Sequence, residues 1–294
     1  MRKRYLLLFV ALCVQLPLRA QDDLMKELEQ TTPQETEYTE QTFKGTRLVN
    51  GQSVETKGEG ELEFIFAHRF GPVNGGLYNL FGLDQAYVRL GLEYGITDRL
   101  GVGIGRNSVD KTMDGYVRYK ILRQSSGANA MPVTVTGFAS AAYKASPKKS
   151  DAPNTSTEDR LSYTTQLLIA RKFTPALSLQ LMPTLVHKNT VDQSLENNDQ
   201  VALGLGGRLK VSRSVALTTE YYHRFGVPDA NPHHNLLGFG IDIETGGHVF
   251  QLVMTNTRGL TERAWLTETT GQWGEGDIHF GFNVTRTFQV KKRG

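Results

Sequence analysis

Val201-Ala202-Leu203-Gly204-Leu205-Gly206-Gly207-Arg208-Leu209-Lys210-Val211 is the stretch that decides how the chain is read. Its odd positions are almost all bulky and apolar, and its even positions are small or charged. A period of two marks a strand with one apolar face and one polar face. About a dozen stretches of this kind follow one another. They lie near 60–70, 86–95, 100–107, 114–124, 132–145, 159–173, 177–188, 199–211, 215–224, 235–244, 248–256 and 277–290. Behind an export leader, such a series predicts an all-β protein: a transmembrane up-and-down antiparallel β-barrel of about 12 strands, its apolar face turned to lipid.

The leader is residues 1–20. Arg2, Lys3 and Arg4 open it, Tyr5 to Val14 form the apolar run, and Ala20 offers a small residue before Gln21. That run is too short for a membrane helix. Cys13 is a poor lipid-attachment site, because Leu12 precedes it and it lies inside the apolar run. Without the leader the chain carries 29 basic and 30 acidic residues, so the formal charge of +3 falls to −1. The apparent basicity comes from the leader and gives no case for nucleic acid as a partner. Cysteine is also lost with the leader, which excludes disulfides, thiol catalysis and Cys-ligated metals. No later stretch is long and apolar enough for a membrane helix. A membrane protein without helices must close its strands into a barrel, since every backbone polar group has to be paired in lipid.

Residues 21–42 are polar and acidic and read as a flexible periplasmic arm or a small plug in the barrel mouth. Residues 43–59 read as a short strand and turn leading into the barrel, with Phe43 to Val49 before the Asn50-Gly51 turn and outside the barrel count. Residues 60–294 form the barrel. Its connections near 71–85, 108–113, 146–158, 189–198, 225–234 and 257–276 are mostly long, and those between them are mostly tight. Alternation of long external loops with short periplasmic turns places the loops around Asp151 and His233 outside, and Arg99 and Gly246 in the periplasm. On the lipid-facing parity, Phe70, Tyr143, Tyr163 and Tyr221 fall at outer strand ends, and Tyr94, Phe173 and Phe288 at periplasmic ends. Two aromatic girdles are expected where rings meet headgroups. A soluble sandwich also alternates, but it accounts for neither the girdles nor the loop lengths.

The C-terminal third carries Gly238-Phe239-Gly240-Ile241-Asp242-Ile243-Glu244-Thr245-Gly246-Gly247-His248-Val249-Phe250-Gln251-Leu252, then Thr255-Asn256, Gly276-Asp277-Ile278 and Phe280-Gly281-Phe282-Asn283-Val284. With Phe43-Lys44-Gly45-Thr46-Arg47 and Asn50-Gly51 near the start, the chain resembles a bacteroidete-type family of outer-membrane β-barrel proteins of unknown function. The resemblance implies the barrel and an outer-membrane location. It supplies no catalytic residues.

Gly101-Val102-Gly103-Ile104-Gly105 lacks the spacing and the following helix of a phosphate loop, and reads as a strand with a smooth inner face. Inward glycines there and at Gly91, Gly204, Gly206, Gly238 and Gly281 leave space inside or let strands bend. His68, His187 and His223 sit near the outer rim on the lipid-facing parity, with no serine placed to make a hydrolase, and Ser178 points inward at the far end of its strand. No enzyme and no cofactor is therefore expected. His233, His234 and Asp229 read as a solvated external loop rather than a metal site, since adjacent histidines converge poorly on one ion. His248 reads as a turn residue.

His68-Arg69-Phe70-Gly71 recurs as His223-Arg224-Phe225-Gly226, echoed by His187-Lys188. Parity turns the basic residues inward at strand ends. Arg69, Arg89 and Arg224 are therefore expected as a cationic ring at the mouth, with Glu220 two inward positions below Arg224 and Arg118 in the lumen. Ordinary strand-end chemistry is the plainer reading. About twelve strands give a backbone radius of roughly 12 Å, which inward side chains largely fill. The expectation is a narrow, partly plugged channel for small polar or anionic solutes. A structural or partner-docking barrel is the alternative, and a membrane-rim enzyme is the weakest reading. Outer-membrane lipid, lipopolysaccharide, the barrel-assembly machinery and a small solute are the expected partners.

Overall fold

The computed structural model describes residues 35–145, 156–245 and 248–291. The leader, most of the arm expected over 21–42, and two of the positions assigned to a side of the membrane, Asp151 and Gly246, lie outside the described residues. Two compact units are present. In one, Glu37–Tyr38 pairs antiparallel with Ser125–Ser126. The other, 39–124 with 131–291, contains the barrel.

Twelve antiparallel strands close the barrel, each hydrogen-bonded to its neighbours in sequence. They are β1 (Glu61–Pro72), β2 (Ala86–Gly95), β3 (Leu100–Asn107), β4 (Thr112–Leu122), β5 (Thr134–Lys144), β6 (Leu161–Lys172), β7 (Leu177–Lys188), β8 (Asp199–Lys210), β9 (Val215–Phe225), β10 (Leu236–Thr245), β11 (His248–Thr255) and β12 (His279–Gln289). The ring closes where β12 meets β1, from Gln289 opposite Glu61 to Gly281 opposite Arg69, with a bulge beyond Gly281. Long connections lie mostly at one end of the barrel and tight turns mostly at the other; the exceptions are the short connection 108–111 between β3 and β4 at the long-loop end and the longer connection 123–133 between β4 and β5 at the tight-turn end.

The side-chain distribution is the reverse of a soluble protein's. On β8, Val201, Leu205 and Leu209 are exposed by 51%, 56% and 44%, whereas inward Ala202 is 4% exposed. Across the barrel, apolar side chains such as Leu90, Ile104, Leu181, Phe239 and Leu252 lie on the outside. Glu63, Arg69, Arg89, Glu93, Arg118 and Glu220 are buried within. Only lipid makes an apolar exterior stable around so polar an interior. No helix among the described residues is long and apolar enough to cross a membrane.

Two segments expected at the ends of the barrel instead fill it. Residues 43–59 do not merely lead into the wall: Phe43, Leu48, Val49, Gln52, Ser53 and Val54 are all buried. The long connection after β11 contains a six-residue helix, α1 (Glu262–Thr267), and every residue of it is buried. Trp265 packs against Tyr222 of β9, ring centroids 4.8 Å apart.

Candidate functional site

The site is the lumen, and its centre is a hairpin too short to satisfy its own backbone. Leu48 N–H donates to Gly51 O at 2.8 Å, Ser53 N–H donates to Thr46 O at 2.9 Å, and Arg47 bridges Gln52. Asn50-Gly51 makes the tip, and Gly51 is required there because a Cβ would lie 2.5 Å from the Tyr222 hydroxyl. The remaining backbone groups are buried, and leaving such groups unpaired is costly.

Wall side chains do the pairing. The Glu220 carboxylate accepts from the backbone N–H groups of Val49 (3.2 Å), Asn50 (2.7 Å) and Gly51 (2.9 Å). Three converging N–H groups form an anion-binding concavity, and here the anion is part of the barrel. Gln251 donates to Leu48 O at 2.7 Å, and Asn283 donates to Val49 O at 3.0 Å. Gln180 both donates to Gln52 O (2.7 Å) and accepts from Val54 N–H (2.9 Å). Thr136 donates to Val54 O at 2.7 Å.

The arginines singled out by the sequence serve three different purposes. Arg69 donates to Asn50 Oδ1 (2.9 Å), Val49 O (3.3 Å) and Asn283 Oδ1 (2.8 Å), so it grips the hairpin tip. Arg118 pairs with Glu93 at 3.2 Å and donates to Glu55 O (2.7 Å), Thr46 O (3.2 Å) and Gln52 Oε1. Arg89 is locked bidentately to Asp114 of the neighbouring wall. Arg224 donates to His233 O (2.5 Å) under the loop after β9. The structure therefore holds no open ring of Arg69, Arg89 and Arg224. Arg69 and Arg89 are each 1% exposed and engaged with other groups. Parity placed them inward correctly, but carried no information about partners.

Inward glycines make room for these contents. A Cβ on Gly206 would lie 2.3 Å from Leu48 Cδ1, and one on Gly105 would lie 2.2 Å from Arg89 Nη2. One void between hairpin and wall is about 40 Å³, room for a water molecule or so.

From the long-loop end, α1 meets the hairpin. Glu262 accepts from Gln52 Nε2 at 2.5 Å and pairs with Arg47 at 3.5 Å. Beyond α1 lies a cavity of about 720 Å³ whose walls include Asp110, Lys144, Lys188, His233, Arg263 and Glu268. The hairpin's Asn50-Gly51 turn was legible in the sequence, but the pairing with Glu220 joins residues 170 apart. For α1 a signal existed in Thr261-Glu262-Arg263-Ala264-Trp265-Leu266, good helix formers behind a capping residue type. Among the described residues, no group of three His, Cys, Asp or Glu side chains could hold a metal ion.

A closed antiparallel barrel with a lipid-type exterior and a polar, filled lumen defines a transmembrane β-barrel of the outer membrane. The chain belongs to the family described as Membrane bound beta barrel domain (DUF5777), which matches residues 43–288 and so includes the hairpin with the wall. No curated protein matches the chain. Among solved structures, the NanC porin is similar with a TM-score of 0.50 at 10% identity, over 76% of this chain and 98% of that one. The KdgM porin gives 0.47 at 9% identity, over 78% and 99%. An outer membrane channel from Pseudomonas putida F1 gives 0.45 at 13% identity, over 80% and 98%. At 10% identity the likeness to the NanC porin speaks for the fold alone.

Proposed function

We propose that this protein is a porin-like channel for small polar or anionic solutes, held shut by the hairpin of residues 43–56. One observation carries the reading: the hairpin backbone is joined to the barrel by wall side chains, not by pairing with the wall strands. Water can replace each such bond at a net cost of about 1 kcal/mol. The barrel itself closes without the hairpin, because its twelve strands pair only with one another. Withdrawal would uncover Arg69 and Glu220, leaving a lumen of mixed sign with a modest anion preference. Lipopolysaccharide around the apolar exterior and handling of β12 by the barrel-assembly machinery belong to the same proposal.

The second reading, a structural or docking barrel without transport, is favoured by the filling of the lumen from both ends. A disulfide decides between them, because the chain beyond the leader has no cysteine. A Cβ on Gly238 would lie 3.2 Å from Val49 Cγ1, close enough for Val49→Cys and Gly238→Cys to bridge. In planar bilayers the parent protein should show brief openings, the oxidised pair none, and the reduced pair openings again. Deleting residues 43–56 should raise the open time. A silent parent together with a silent deletion variant would remove the channel and leave the structural barrel.

A further inference from the structure

The cavity at the long-loop end contains a carboxylate cage. Glu268 follows α1 directly, its N–H donating to Ala264 O at 3.0 Å. Its carboxylate accepts from Arg263 Nη1 at 2.5 Å and Nη2 at 2.9 Å, the two-pronged arrangement that suits a carboxylate best. Lys144 of β5 approaches it at 3.2 Å, and Lys188 of β7 at 3.7 Å. Three cations from three separate elements thus surround one carboxylate, which sits on a loop rather than on the wall.

The cavity beside the cage, about 720 Å³, is within the size range of small-molecule sites. Its walls hold unpaired buried nitrogens. Arg263 Nε, Arg160 Nε and His233 Nδ1 are buried and have no hydrogen-bond partner, and all three side chains line the cavity. Arg263 is itself only 5% exposed. Arginine nitrogens can only donate, so the wall calls for acceptor oxygens. Among the described residues that line the cavity, no buried acceptor oxygen is left unpaired. The demand is one-sided and does not suit a cation.

We propose that this cavity binds a small organic anion whose carboxylate takes the place of Glu268 between Arg263, Lys144 and Lys188. Basic and acidic side chains balance on the wall with Glu268 in place. Swinging Glu268 out leaves an excess of one positive charge, which a monoanionic group neutralises. The exchange swaps one carboxylate for another and leaves the cations solvated no worse than before. Further oxygens of the ligand meet the unpaired donors on Arg263 and Arg160. Since α1 also touches the hairpin through Glu262, an occupied cage reports to the lumen contents. The site goes beyond the channel reading and does not depend on it, because its binding is read at equilibrium and without conductance.

The test is calorimetric titration of the refolded full-length mature barrel with succinate at low ionic strength, with glucose as the neutral control. Succinate should saturate, glucose should not, and added sodium chloride should weaken succinate. Glu268→Gln removes the internal competitor and should bind succinate about tenfold more tightly. Lys188→Met should lose the binding while keeping the strand signature in circular dichroism. If Glu268→Gln fails to fold, Glu268→Ala replaces it. A parent protein that takes up no succinate at tens of millimolar overturns the proposal. So does glucose binding as well as succinate, or Lys188→Met binding succinate as the parent does.

Discussion

At the scale of the residue, Glu220 holds the hairpin in the lumen. Its carboxylate is buried, carries three backbone N–H groups of the hairpin, and lies in the layer that also contains Arg69. Glu220→Gln keeps the shape but sets an amide NH2 where one oxygen accepted, so at least one of the three bonds is lost, the others weaken, and Arg69 loses its nearby countercharge. The expected result is more frequent opening in bilayers and a loss of about 2–3 kcal/mol in urea unfolding. Unchanged opening would remove the tip as the latch. Glu268 offers a pH test at the other end of the barrel. Burial opposes its ionisation, but Arg263, Lys144 and Lys188 outweigh burial and hold its carboxyl well below the usual carboxylate range. A depressed folded-state value stabilises above the unfolded value, and that stability is lost as pH falls through the folded one. The difference in melting temperature between the parent and Glu268→Gln should therefore be constant above pH ~5 and shrink below pH ~4. These residues show where sequence reading stops. Parity assigns Arg69, Arg118 and Glu220 to the inner face, but their partners are supplied by chain closure around a segment far away in sequence.

At the scale of the element, strands were readable and short lumen segments were not. A strand in this wall presents lipid on one side and polar groups on the other, so its period of two survives in composition. The ends of β8, β10 and β11 fall within a residue or so of the expected spans. The hairpin at 46–53 has no such environment, since its surroundings are polar and apolar in patches: Leu48 fills the space over Gly206, and Gln52 meets Arg118 and Glu262. Helix α1, at six residues, is too short for a helical period to declare itself. Of the strands, β12 has the clearest test, because it pairs with both β11 and β1. Deleting residues 277–294 should leave β1 with an open edge that lipid cannot satisfy. The truncated chain should vanish from the outer-membrane fraction. A truncated chain that inserts and resists heat in detergent would mean that closure lies elsewhere.

At the scale of the whole molecule, the wall, its contents and its orientation separate. Most long connections lie at one end, which is expected to face outward. Asp229 is exposed in the long connection after β9, and Arg213 is exposed in a tight turn at the opposite end. A cysteine at Asp229 should react with an impermeant reagent on intact cells, and one at Arg213 only after the envelope is opened. The reverse pattern would invert the barrel. The sequence by itself determined the twelve-stranded wall, the inward and outward face of each strand and the alternation of loops, because these follow from local periodicity and from lipid as a one-sided solvent. Only the tertiary structure decided that the lumen is filled, and by what. Once the ring closes, every inward polar group must find a partner within it, and the nearest free backbone groups belong to residues 43–56 and the segment around α1. That pairing depends on which distant segments share the enclosed space, a quantity no local pattern of residues records.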